Sequence, residues 1–253
     1  MSEPLPLEGK VAIVTGASRG LGRAMALALA EAGAHVAVAA RTTAEIDETA
    51  HEVERRGRRA LAVPTDVSDY AQVETLVART VDALGGLDIL VNNSGIAGVH
   101  PVAEMPPEVF VQTLQVNLVG VFNGCRAAAS RLIGQGAGKV INMASVMAAS
   151  GIAGYSAYAA SKGGVVSFTK CLAVEWARYN IQVNAIAPGW FVTDMNAMAF
   201  SDPKVRDRLL RDVPMRRTGE LSEIGPLAVY LASSASSYMT GQTLFLDGGH
   251  TAA

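Results

Sequence analysis

The stretch KVAIVTGASRGLG, Lys10 to Gly22, decides the fold. Lys10–Thr15 is a short β-branched run ending at a glycine, which reads as a buried strand. Gly16-Ala-Ser18-Arg19-Gly20-Leu21-Gly22 follows, and an alanine- and leucine-rich helical stretch then runs to Ala32, where Gly33 stops it. Strand, glycine-rich turn and helix in that order aim free backbone N–H groups and a helix N-terminus at an anion. The glycine spacing is G-x-x-x-G-x-G rather than the common dinucleotide pattern G-x-G-x-x-G, but the physical task is the same.

Working outward, His35–Ala40 is a second strand that closes a β-α-β unit. A protein selecting NAD usually ends this strand on an acid that accepts from the adenine ribose 2′-hydroxyl. Here the strand ends Ala39-Ala40-Arg41-Thr42, with a cation and no acid. Arg41, together with Arg19 from the glycine turn, could clamp a 2′-phosphate through bidentate hydrogen bonds. Two solvated surface arginines are the alternative. The missing acid favours NADP over NAD.

The alternation continues. A charged amphipathic helix is expected over Ala44–Arg56, a strand over Ala60–Pro64 leading into Asp66-Val67, and a helix over Tyr70–Leu84 ended by Gly85-Gly86. Strand Leu87–Val91 then runs into Asn92-Asn93-Ser94-Gly95. A continuous helical region is expected from Pro107 to Ile133, with Asn117 inside the apolar run LQVNLVGVF. A buried amide there must be satisfied, so Asn117 is either a structural bracket or holds a water. Gly134–Gly138 reads as a turn, Lys139–Ala144 as a strand that delivers Ser145, and a long helix runs to Tyr179 before strand Ile181–Ile186. A last helix (Ser222–Ala232) and strand (Thr243–Leu246) close the chain. Strands followed repeatedly by helices mean an α/β fold, a parallel sheet covered on both faces, and ligands in such sheets bind beyond the carboxyl ends of the strands. Gly16–Gly22, Asp66, Asn93–Gly95 and Ser145 all fall at that edge. With no linker, repeat or low-complexity tract, residues 1–253 read as one domain.

Two features sit outside this rhythm. In SVMAASGIAGYSAYAASK, Ser145 to Lys162, Tyr158 stands four residues before Lys162 at the start of a helix, so both occupy one face. A free tyrosine titrates near pH ~10. An ammonium ~4 Å away at an effective dielectric of ~20 contributes roughly 4 kcal/mol, enough to lower that pKa by about three units. Tyr158 would then serve as a general acid or base, with Ser145 bonding the same substrate oxygen. The second feature is the insertion after Pro188-Gly189, residues 189–213, which mixes Trp190, Phe191, Met195, Met198 and Phe200 with Asp194, Asp202 and Lys204. It is either a surface helical pair or a substrate lid, and the flexible methionines and aromatics favour the lid.

Composition removes other classes. The chain has 253 residues, 50% of them hydrophobic, enough for an ample core. A net charge of −2, from 21 basic and 23 acidic residues, gives no case for nucleic acid. The run Arg55-Arg56-Gly57-Arg58-Arg59 reads as a solvated helix end and turn. Cys125 and Cys171 both lie in apolar-rich segments, and buried free thiols in a reducing compartment are expected. His35, His51, His100 and His250 show no metal-ligand spacing, so no metal is expected. The start MSEPLPLEGK lacks a basic region followed by an apolar run, so no signal peptide is expected. No stretch reaches eighteen apolar residues, and a cytoplasmic location without membrane contact follows.

Taken together, Thr15-Gly16-Ala-Ser18-Arg19-Gly20-Leu21-Gly22, Asp66-Val67, Asn92-Asn93-Ser94-Gly95, Asn117, Ser145, Tyr158-Ala-Ala-Ser-Lys162 and Pro188-Gly189 with Thr193 resemble the short-chain dehydrogenase/reductase family. The match covers essentially the whole chain; Ser94, where the family usually has alanine, is a conservative departure. The resemblance implies a doubly wound Rossmann fold with seven parallel strands and a carbonyl reductase using NADP(H). It implies that Tyr158 protonates the carbonyl oxygen, Lys162 depresses the tyrosine pKa and binds the nicotinamide ribose, Ser145 holds the substrate oxygen, and Asn117 keeps a water in a relay to Lys162. For the cofactor it implies the turn Gly16–Gly22, Arg19 and Arg41 at the 2′-phosphate, Asp66 at the adenine amino group with Val67 beside it, and Asn93, Ser94 and Gly95 nearby. Pro188, Gly189, Phe191 and Thr193 would lie at the nicotinamide end, the last two orienting its carboxamide. Homotetramers are implied too, through the helix carrying Tyr158 and the carboxyl-terminal strand, although the tail Tyr238–Gly249 would serve equally as a monomer's edge.

The implied substrate is a small-molecule ketone or secondary alcohol. Within that class the sequence is similar both to 3-oxoacyl-(acyl carrier protein) reductases and to gluconate 5-dehydrogenase-like sugar-acid and polyol enzymes. Gly134–Gly138 supplies no cation for an acidic carrier, although Arg131 and Arg178 are near. A non-catalytic NADP sensor is the remote alternative, and the intact Asn117, Ser145, Tyr158 and Lys162 set argues against it.

Overall fold

A computed structural model describes residues 5–253. Residues 1–4, where the segment read for a signal peptide begins, lie outside them. Seven strands, β1 (Val11–Thr15), β2 (His35–Ala40), β3 (Ala60–Pro64), β4 (Ile89–Asn92), β5 (Gly138–Met143), β6 (Ile181–Pro188) and β7 (Thr243–Leu246), form one parallel sheet in the order β3-β2-β1-β4-β5-β6-β7. The order reverses between β1 and β4. That crevice is where a doubly wound sheet opens to ligands.

The helices are α1 (Gly20–Glu31), α2 (Thr43–Arg55), α3 (Tyr70–Leu84), α4 (Pro107–Leu114), α5 (Gly120–Gln135), α6 (Ser156–Trp176), α7 (Ala197–Ser201), α8 (Pro203–Leu210) and α9 (Leu221–Ala232). Alternate strand residues serve opposite faces, as a pleat requires. Ala12 and Val14 of β1 pack with Leu29, Ile46 and Ile224 from α1, α2 and α9. Val11 and Ile13 pack with Leu76, Leu132 and Leu172 from α3, α5 and α6. Both faces of the central strands are therefore dry, which explains their continuous apolar runs.

The expected continuous helix over Pro107–Ile133 is interrupted. Residues Gln115–Val119, which include Asn117, form a π-helical turn between α4 and α5. Such turns insert one residue into the helical ladder and redirect a side chain, and hydrophobic periodicity does not register them. Helix α5 also continues through Gln135 into the expected turn, ending where Gly136 takes φ 65° and its N–H bonds the Ile133 carbonyl. Strand β6 runs two residues past Ile186 because β7 still lies beside it there, with Pro188 opposite Leu246. The helix expected to reach Tyr179 ends at Trp176 and passes into a 3-10 turn over Ala177–Tyr179.

Two surface readings change. Cys125 is buried, but Cys171 is exposed on α6, because its apolar neighbours face inward at helical spacing and it does not. The arginine run stitches elements together: Arg56 pairs with Glu31, Arg58 with Glu8, and Arg59 donates to the Leu84 carbonyl at the end of α3.

Beneath the sheet's carboxyl edge lies a buried amide network. Asn92 Nδ2 donates to Asn142 Oδ1 at 2.9 Å, and Asn142 Nδ2 donates to Thr169 Oγ1 at 3.0 Å. It ties β4, β5 and α6 at one height. Each member is satisfied, so the network specifies register without leaving a buried polar atom unpaired.

Candidate active site

A cleft of about 570 Å³ follows the carboxyl edge of the sheet from β2 to β6. All the sequence-predicted site residues line it except Asn117. Asn117 is fully buried, and its side chain is spent on protein: Oδ1 accepts from Ile96 N–H at 2.8 Å, while Nδ2 donates to Ile96 O and to Ser161 Oγ. The bracket reading is therefore the one its geometry fits. The π-turn points this amide into the bracket between the β4 loop and α6.

The glycine turn is built from both sides of the crevice. Gly16 and Gly20 adopt φ 64° and 55°, a region that disfavours side chains. A Cβ on Gly20 would come within 3.3 Å of Thr193 Cγ2, so the missing side chain keeps the gap between turn and insertion open. Asn93 does not face that gap with its amide nitrogen; Nδ2 donates to the carbonyls of Thr15 and Gly16. Thr15 Oγ1 in turn accepts from the N–H groups of Asn93 and Ser94. These bonds hold the turn against β4 and leave the N–H groups at the start of α1 facing the cleft. An open, glycine-lined helix N-terminus fits the pyrophosphate of a dinucleotide.

At the β2 end, Arg41 is exposed and makes no ion pair among the described residues. Arg19 is held by two carboxylates, Glu45 at 3.3 Å and Asp194 at 3.0 Å. Glu45 was missed in the sequence because it stands on α2, one helical turn beyond the strand end where an acid is normally sought. Asp66 bonds both the N–H and the hydroxyl of Ser68 through Oδ1, which holds its carboxyl below the usual range.

At the β5 end, Ser145 leaves the strand extended and accepts from Met147 N–H at 3.2 Å. Tyr158 and Lys162 lie on one face of α6, with Lys162 Nζ 5.6 Å from the centre of the Tyr158 ring. The expected depression of the tyrosine pKa is not found. Burial raises the Tyr158 pKa, a hydrogen bond with Ser145 pulls it partly back, and Tyr155 raises it further. The physical reason is that the lysine is desolvated too. Lys162 is 3% exposed, donates to the Met143 carbonyl at 2.7 Å, and burial lowers its pKa to about 8. The Coulomb attraction alone leaves out the burial penalty that both charged forms carry.

These shifts predict a pH dependence of stability. Between about pH 8 and 10.5 the unfolded chain holds the Lys162 proton after the folded chain has released it, so stability rises with pH. The gain is at most about 3 kcal/mol. Tyr158 acts in the opposite sense above about pH 10, where the unfolded phenol ionises first and stability falls. Lys162→Met should remove the rise above pH 8; denaturation midpoints of both proteins across pH 7 to 10 check it.

Among the described residues, no helix is long and apolar enough to cross a membrane. Nor does any group of three or more His, Cys, Asp or Glu among them form a metal site.

A doubly wound sheet with a glycine turn at its switch point, and a serine, tyrosine and lysine along the same crevice, defines a dinucleotide-dependent oxidoreductase. Residues 16–251 match the family model described as enoyl-(acyl carrier protein) reductase. The chain is 38% identical over 241 residues to the 3-oxoacyl-(acyl-carrier-protein) reductase of Staphylococcus aureus, covering 95% of this chain and 97% of the relative. It is 41% identical over 247 residues to 3β-hydroxysteroid dehydrogenase 1 of Eggerthella lenta, covering 97% and 95%. The solved gluconate 5-dehydrogenase of Burkholderia cenocepacia J2315, in complex with NADP and tartrate, superposes with a TM-score of 0.95 at 38% identity, over 99% of this chain and 98% of that one. The chain belongs to the short-chain dehydrogenase/reductase family.

Proposed function

We propose that this protein reduces a ketone to a secondary alcohol with NADPH, and runs the reverse reaction with NADP⁺. The observation that carries the reading is the gathering of Ser145, Tyr158 and Lys162 on the wall of the same cleft that begins at the glycine turn. Relatives named as reductases and dehydrogenases, one of them solved with NADP, support it. When bound, the nicotinamide supplies or accepts the hydride.

The chain's own groups handle the oxygen. As negative charge gathers on it, the hydroxyls of Ser145 and Tyr158 stabilise that charge, and Tyr158 delivers the proton. Its raised pKa keeps the phenol loaded at neutral pH, which suits reduction; alcohol oxidation needs the phenolate and gains with rising pH. Lys162, close beside Tyr158 on α6, orients the nicotinamide ribose. Asn117 acts as a positioning residue, fixing the Ile96 backbone against Ser161. At the other end Arg41 reads the 2′-phosphate, Asp66 takes the adenine amino group beside Val67, and Gly16, Ser18, Gly20, Leu21 and Gly22 receive the phosphates. Asn93 acts by bracing the turn, with Ser94 and Gly95 lining the crevice. Pro188, Gly189, Phe191 and Thr193 border the nicotinamide. Residues 189–213 form a lid, residues 1–253 one domain, and the working form is a cytoplasmic homotetramer.

Initial rates with NADPH and NADH against an acetoacetyl thioester, 5-ketogluconate and an aryl methyl ketone test the reading. Turnover on one ketone, faster with NADPH, is expected; tight NADPH binding without turnover on any ketone points to a sensor instead. Because Arg19 is already engaged by two carboxylates, Arg41 is the principal 2′-phosphate group. Arg41→Ala should weaken NADPH about tenfold or more and leave NADH within about twofold. Equal losses, measured by fluorescence titration, would place phosphate recognition elsewhere.

A further inference from the structure

The cleft has two chemically unlike halves. Its cations are Arg19, Arg41 and Lys162, and none stands unpaired on the half that carries Tyr158. Arg19 is tied to Glu45 and Asp194, Arg41 lies at the β2 end, and Lys162 is buried with its ammonium on the Met143 carbonyl. Beside Tyr158 the wall is apolar: Val146, Met147, Tyr155 and Trp190 line it, and Phe200 packs behind Trp190. The Tyr155 ring stands edge-on to Tyr158 at 6.4 Å, and Trp190 tilts against Phe200 at 5.7 Å. Met195 is half exposed in the lining of the same cleft.

Two polar side chains beside this wall are out of a ligand's reach. Asn196 accepts from Thr193 N–H through Oδ1 and donates to Phe191 O through Nδ2. The indole nitrogen of Trp190 has no partner and is sealed from the surface. A polyhydroxylated chain would find few donors or acceptors here beyond Ser145 and Tyr158. A carboxylate would lose its hydration and gain no cation, which is strongly unfavourable. An apolar ring meets aromatic and thioether walls that reward its burial.

We infer that the substrate is an uncharged, ring-bearing apolar ketone, held against Tyr155, Met147 and Trp190, and that sugar acids are excluded by the absence of a free cation on the half beside Tyr158. This rests on the ketone-reductase reading above.

The test is a matched pair at saturating NADPH: 4-isopropylcyclohexanone and 4-oxocyclohexanecarboxylate, alike in shape and differing in charge. The expected result is a kcat/KM about 100-fold or more in favour of the uncharged ketone, with 5-ketogluconate no better than the carboxylate. Equal or better turnover of the carboxylate or of 5-ketogluconate overturns the inference while leaving the reductase reading intact. NADPH binding without oxidation on any of them overturns both. In a second arm, Met195→Arg places a cation at an exposed position of the wall. It should shift the ratio of the two kcat/KM values toward the carboxylate by about tenfold. An unchanged ratio would mean that something other than the missing cation sets the preference.

Discussion

Tyr158→Phe is expected to lower kcat for ketone reduction by about 10³-fold while leaving the NADPH dissociation constant within about twofold. The substitution removes one oxygen and keeps the ring, so packing against Tyr155 and the contact with Lys162 survive. What disappears is the proton donor and one of the two hydroxyls stabilising the developing oxyanion. Ser145 remains, so a residual rate persists in which water supplies the proton. Tyr155→Phe serves as the control. Tyr155 shares the apolar cluster, but it stands before α6 and only Tyr158 lies one helical turn before Lys162, so its loss should cost far less. Steady-state rates and a fluorescence titration on both variants decide the matter. Retained turnover in Tyr158→Phe would transfer the acid role to another group.

Gly22→Ala should be nearly as damaging, by a different route. A Cβ at Gly22 would run into the Gly16 carbonyl oxygen and the Asn93 amide. The first is backbone and the second is already bonded to that backbone, so neither can swing away. Relief requires the turn to lift off β4, which moves the N–H groups that face the cleft. Overpacking of this kind costs about 1–3 kcal/mol, a fall of about 2–6 °C in Tm for a domain of this size. The NADPH dissociation constant should rise about 100-fold, since several N–H contacts are displaced together. Gly134→Ala, inside α5 with open space where a Cβ would go, should be neutral or slightly stabilising. Thermal denaturation with and without NADPH separates the two effects. A Gly22→Ala protein that binds NADPH normally would mean that the turn is more pliable than its packing indicates.

Much of the architecture was legible because the governing signals are local. Strand β1, the glycine turn and α1 are adjacent in the chain, and the apolar runs of the buried strands cannot be mistaken for half-exposed ones. The exit points of β1, β3, β4 and β5 follow from the alternation alone, so the cleft's position could be inferred before any coordinates. What escaped depended on partners distant in sequence or on desolvation. The π-turn at Asn117 keeps the hydrophobic period of an ordinary helix, so only three-dimensional packing reveals it. Glu45 and Asp194 reach Arg19 from α2 and from the insertion, and no spacing rule joins positions 19, 45 and 194. The Tyr158–Lys162 spacing was readable, but the electrostatic consequence was not. Burial acts on both groups, and the sequence does not say how deep either lies.

The amide network from Asn92 through Asn142 to Thr169 sets two clocks in the molecule. Helix α6 is bolted at mid-length to two central strands, so its amides can exchange with solvent only when that part of the core opens as a unit. Residues 189–213 are anchored by the buried side chains of Trp190, Phe200 and Val213, but between those anchors Met195 and Met198 are exposed, and the tie of Asp194 to Arg19 is a solvent-facing ion pair. Openings confined to that exposed stretch are expected to be cheaper than those of α6. The groups proposed to carry the proton thus sit on the slow part of the chain, and the segment proposed to meet the substrate sits on the fast part. Such a division would let substrates come and go while Tyr158 and Lys162 stay where the strands hold them.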